Sequence, residues 1–85
     1  MAYVYKNGQA VGVVYFHKDL QGLLRGLVRN PLGNIQLIVF QVEDLQKRPT
    51  EQRSWAVSTP APEHRIVGRG NTRKNAVLAA GYELR

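Results

Sequence analysis

The residues able to do chemistry in this chain are cations. Lys47, Arg48, Arg53, Arg65, Arg69, Arg73 and Lys74 fall within one third of the length, opposed only by Glu51 and Glu63. That stretch carries +5 of the formal +6, and the isoelectric point is about 10.2. Such a balance favours a polyanionic partner, nucleic acid first. Catalysis finds little to work with. There are two histidines, His17 and His64, and no cysteine. No H-E-x-x-H, G-x-S-x-G or paired-carboxylate spacing occurs, and Gly68-Arg69-Gly70 is too short to form a dinucleotide or P-loop cradle. The expectation is a non-enzyme with no cofactor and no metal. Lack of cysteine also excludes a disulfide scaffold and suits a reducing, cytoplasmic compartment.

The densest signal is Gly68-Arg69-Gly70-Asn71-Thr72-Arg73-Lys74. A glycine-rich turn here delivers the chain to a helix start. Thr72 is a good N-cap, because its hydroxyl can accept from an otherwise unpaired backbone N–H. Arg73 and Lys74 then sit at the helix end whose dipole disfavours cations and favours anions. Phosphate is the anion that reconciles the two, with Gly70 and Asn71 presenting backbone donors and Arg69 beside them.

The elements that must position these residues follow from periodicity. Tyr3-Val4-Tyr5 and Val11–Phe16 flank Asn7-Gly8, a two-residue turn signal, so residues 1–16 read as a β-hairpin. Leu20, Leu23, Leu24 and Leu27 recur at i, i+3, i+4 and i+7, which predicts a helix over 18–29, interrupted in its propensity by Gly22 and Gly26. Asn30–Asn34 is a turn and the nearly continuous apolar run Ile35–Val42 a central strand. Asp44–Ser54 is a polar loop, Trp55–Ser58 a second strand, Thr59–Pro62 a turn and His64–Val67 a third strand. A second helix runs from Arg73 to about Leu84. Trp55 is expected in the core, and Tyr3, Tyr5 and Tyr15 in hairpin packing. One domain of 85 residues is all that such a chain can close around a core. No apolar run is long enough to span a membrane, and the N-terminus lacks a signal peptide's apolar stretch, so it reads as mature.

On these residues the chain resembles the double-stranded-RNA-binding domain, whose last helix opens G-x-G-x-S-K-K-x-A-K-x-x-A-A. Gly68, Gly70, Thr72, Arg73, Lys74, Ala76, Ala79 and Ala80 match, with one spacer residue fewer and Val77 in place of the third lysine. Arg48-Pro49-Thr50-Glu51-Gln52-Arg53-Ser54-Trp55 is similar to that family's G-P-x-H-x-K-x-F stretch in Pro49, Arg53 and Trp55. Glu51 replaces its minor-groove histidine, and Gly26 stands where its first helix carries a ribose-reading Glu. The resemblance covers residues 18–85. It implies an α+β fold: the N-terminal hairpin, then an α-β-β-β-α core with two helices on one face of an antiparallel sheet. It also implies non-catalytic binding of double-stranded nucleic acid, RNA above DNA. Thr72, Arg73 and Lys74 would straddle phosphates. Lys47, Arg48, Gln52 and Arg53 would sit over a second backbone strand, and Lys18, Gln21 and Arg25 would face the neighbouring minor groove. Two rivals are an integrase-arm-like DNA-binding domain and a protein-interaction module, such as a small phage-type inhibitor, that dimerises or binds a protein partner through the hairpin edge.

Overall fold

The computed structural model describes all of residues 1–85. Seven strands and one helix follow one another as β1 (Ala2–Lys6), β2 (Gln9–Lys18), β3 (Leu24–Arg29), β4 (Ile35–Glu43), β5 (Arg53–Ser58), β6 (Ile66–Gly70), α1 (Arg73–Ala79) and β7 (Glu83–Leu84). The strands form one antiparallel sheet in the order β6-β5-β4-β3-β2-β1-β7, a curled half-barrel that holds α1 against its inner face. The expected α-β-β-β-α core with two helices is therefore wrong, and with it the placement of residues 18–29 on a helix.

The reason lies in residues 19–29. Asp19 accepts hydrogen bonds from the backbone N–H of Gln21 (2.8 Å) and Leu23 (2.9 Å), an Asx-type turn that stops β2. Gly22 completes this turn, and Leu20, first of the four leucines, is wholly exposed. From Leu24 the chain alternates with period 2. Leu24, Gly26 and Val28 face inward, while Arg25, Leu27 and Arg29 face outward. Pairing with β2 on one side and β4 on the other satisfies this stretch on both edges, whereas a helix would have carried two interior glycines. A side chain at Gly26 would lie 2.5 Å from the Val14 methyl and 2.9 Å from the Phe16 ring, so the position has no room for a ribose-reading Glu.

Other expectations hold. Asn7 and Gly8 both have positive φ (54° and 79°), as a tight hairpin turn demands, and β1 pairs with β2 around them. Residues Ile35–Val42 lie in β4, a central strand, and Trp55 is buried. One does not: Gly68-Arg69-Gly70, expected as a glycine-rich turn, continues strand β6.

Helix α1 is shorter than the expected 73–84. Its N-cap is as expected, since the Thr72 hydroxyl accepts from the Asn75 N–H at 3.1 Å. Its end is set by Gly81, at φ 89°. The Tyr82 N–H bonds back to the Val77 carbonyl and the Gly81 N–H to the Leu78 carbonyl, the paired bonds of a Schellman cap. The chain can then turn back into β7, which pairs with β1 through Val4↔Leu84 and Tyr5↔Glu83. Reciprocal backbone bonds between Tyr3 and Arg85 extend that ladder. Thr72→Ala should lower stability by about 1 kcal/mol, read from the urea midpoint, because the Asn75 N–H loses its acceptor.

The core joins Val4, Val14, Val28, Leu37, Val39, Trp55 and Val57 on the inner sheet face to Ala76 and Val77 of α1 and Leu84 of β7. The hairpin is thus not an appendix. It lies within the sheet, with β2 against β3 and β1 against β7, and it contributes Val4 and Val14 to the core. The free hairpin edge on which a homodimer or protein partner was expected is occupied by the chain's own C-terminus.

Candidate nucleic-acid interface

The expected site residues separate into three places. The loop between β4 and β5 is a built structure, not a slack polar tract. The Asp44 N–H bonds to the Gln52 carbonyl at 2.7 Å and closes its neck. A 3-10 turn at Pro49–Glu51 follows Arg48. The Gln52 side chain donates to the Lys47 carbonyl at 3.2 Å. Gln52 is half-buried, and this bond helps to hold the loop in shape.

This loop presents Lys47 and Arg48, and the first residue of β5 presents Arg53, around a polar cleft of about 550 Å³. The other wall is Asn71, from the turn between β6 and α1, and no hydrophobic side chain lines it. The structure thus brings together two stretches expected to act jointly, 47–53 and 69–74, through Asn71. Glu51 also lines the cleft and offsets one charge. None of the three cations has an ion-pair partner. The chain's one ion pair joins Arg85 to Glu83 in β7. There the Arg85 guanidinium bonds both Glu83 oxygens, at 2.9 and 3.2 Å, and holds that carboxyl below its ordinary range. The pair is exposed and contributes little to stability.

The helix start does other work than expected. Gly68 and Gly70 are packing positions. A Cβ on Gly68 would fall 2.6 Å from the Ala76 carbonyl oxygen and the Ala80 nitrogen, and one on Gly70 would fall 2.6 Å from the Ala76 nitrogen. They let the helix backbone lie directly on β6. Arg73 is half-buried, its guanidinium 4.2 Å from the Phe16 ring centroid and 5.1 Å from that of Trp55. These two rings meet edge to face at 5.8 Å. Arg73 therefore packs on an aromatic pair as a cation–π contact, a structural role that the sequence did not show. The Thr72 hydroxyl is committed to its cap. Lys74 is exposed but turns towards the β7 side, near Glu83 and Arg85.

The third group lies on the outer sheet face. Arg25 and Arg69 are exposed there, in one rung that runs His17↔Arg25↔Phe40↔Ala56↔Arg69. Lys18 and Arg25 line a groove of about 390 Å³ together with Tyr15, Leu27 and Arg29. Gln21 is exposed in the Asp19 turn. Tyr15, Arg29, Leu27 and Phe40 had no place in the expected site. The alternation of Val13, Tyr15 and His17 outward with Val14 and Phe16 inward is the signal that could have found the first of them. Tyr3 and Tyr15, expected in hairpin packing, are instead 46% and 55% exposed.

No family model, curated protein or solved structure matches this chain. The likeness to the double-stranded-RNA-binding domain thus rests on short motifs whose glycines, threonine and arginine have structural work in a different fold.

Proposed function

We propose that the protein binds nucleic acid without catalysis, holding backbone phosphates in the cleft between the β4–β5 loop and the β6–α1 turn. The observation that carries this reading is the set of three unpaired cations, Lys47, Arg48 and Arg53, fixed around one polar cleft by a hydrogen-bonded loop. Asn71 adds a neutral donor beside them. The overall charge of +6 steers a polyanion towards the chain from a distance. An apolar-free cleft suits phosphate and ribose, not an apolar ligand. The preference for RNA that accompanied an α-β-β-β-α core is not part of this reading.

Equal-length duplex RNA, duplex DNA and single-stranded RNA, each titrated at two salt concentrations, test it. Binding should weaken steeply with salt. Lys47→Ala with Arg48→Ala should lower affinity for every form and reduce the slope of log K against log salt by about 1 for each lost contact. Melting temperature should hardly change, because both residues are exposed. An unaltered slope removes the cleft from the interface, and no binding at low salt defeats the reading altogether.

A further inference from the structure

The outer face of the sheet is covered by no helix, since α1 lies on the inner face. Its outward side chains run in rungs fixed by the register. Tyr15 stands beside Leu27, and Leu27 beside Ile38. One step along lie Arg25 and Phe40, and one step the other way Val13 pairs with Arg29. Ile38 is buried and Leu27 and Phe40 are half-buried, so what the face exposes is the Tyr15 ring flanked by the guanidinium groups of Arg25 and Arg29. Tyr15 projects from it more than half exposed, at the edge of the groove of about 390 Å³ whose walls include Arg25 and Arg29. The groove's one acidic group, Asp19, already accepts two backbone hydrogen bonds in its own turn.

We propose that this face binds the unpaired bases of a single-stranded nucleic acid, with Tyr15 as the stacking platform and Arg25 and Arg29 on the adjoining phosphates. The inference rests on the nucleic-acid reading above and names the form of the ligand. Charge selects the occupant. A second copy of the chain laid on this face would bring together two faces that each carry Arg25, Arg29 and Arg69, which like charge opposes. An apolar ligand would leave the guanidinium groups without a partner. Single-stranded nucleic acid offers both complements at once, a π face for Tyr15 and a negative backbone for the arginines. A duplex offers only the backbone, because its bases are already stacked on one another. Arg69 ends the Arg25 rung, one residue past Gly68 and two before Asn71 of the cleft, so one strand can run from the platform into the cleft.

The test compares oligouridylate with a duplex of equal length on the intact protein. Tyr15→Leu keeps an apolar side chain in the strand and removes the ring, and Tyr15→Phe keeps the ring and removes the hydroxyl. Expected results are about a tenfold or greater loss of oligouridylate affinity for Tyr15→Leu, near-normal affinity for Tyr15→Phe, and no change in duplex binding by either. A 5-iodouracil-substituted strand should photo-crosslink to Tyr15. Unchanged oligouridylate binding by Tyr15→Leu, or crosslinks confined to residues 44–53, would overturn the proposal and leave the phosphate cleft standing. Sedimentation as a dimer that Tyr15→Leu dissociates would overturn it in favour of self-association. Absence of binding to single strand and duplex alike would remove both readings together.

Discussion

Gly68→Ala is expected to destabilise the fold by about 3 kcal/mol or more, at the upper end of what overpacking costs. The added methyl would meet main-chain atoms, the Ala76 carbonyl oxygen and the Ala80 nitrogen, each at 2.6 Å. A side chain can rotate away, but a helix backbone cannot without lifting Ala76 and Val77 out of the core. Chemical denaturation reads the effect directly, and a loss of this size is a large share of the total stability of so small a domain. Gly70→Ala should behave in the same way, being 2.6 Å from the Ala76 nitrogen. The result also separates two roles for this glycine pair. If the glycines served a phosphate-binding loop, the substitutions would weaken nucleic-acid binding at unchanged stability. A Gly68→Ala variant with wild-type denaturation would show that α1 does not lie on β6 as described.

Deleting residues 1–15 should abolish cooperative folding. The deletion removes β1 and most of β2, and with them Val4 and Val14, two of the fully buried side chains. It also strips β7 of its only partner strand and exposes the edge of β3. Leu84, anchored beside Val4, loses its place in the core. Each large-to-small change at such positions typically costs about 1–4 kcal/mol, so losing two buried valines with a strand ladder exceeds what a small domain can absorb. Circular dichroism on heating should show no sigmoidal transition for residues 16–85, where the full chain shows one. A cooperative transition in the truncated chain would mean that the hairpin is the appendix that its position at the N-terminus implied.

Several features of this protein could be read locally because the physics that sets them is local. Asn7-Gly8 fixes a hairpin because two adjacent residues must take positive φ, and both do. Thr72 caps a helix because its hydroxyl reaches an N–H three residues on. The apolar run Ile35–Val42 reads as a central strand, and it lies in β4, in the middle of the sheet. Gly81 carried an equally local stop signal, although a run of helix formers up to Leu84 hid it. The concentration of cations between Lys47 and Lys74 was visible as composition, and three of them do meet around one cleft.

What the tertiary structure decided was every choice between two patterns that the same residues satisfy. Leu20, Leu23, Leu24 and Leu27 fit a helical face, yet Leu24–Arg29 equally fits a strand that alternates in and out. The energy that separates these readings resides in the ladders to β2 and β4, contributed by residues distant in the chain. Gly68 and Gly70 could serve a phosphate or a close-packed helix, and only the position of α1 distinguishes them. The guanidinium of Arg73 was a free cation in the sequence and became a cation–π contact once Phe16 and Trp55 were brought together from separate strands. Sidedness was likewise hidden. Whether Tyr15 packs inside or projects outward depends on the register of β2, and that register is set by where the curled sheet places its single helix.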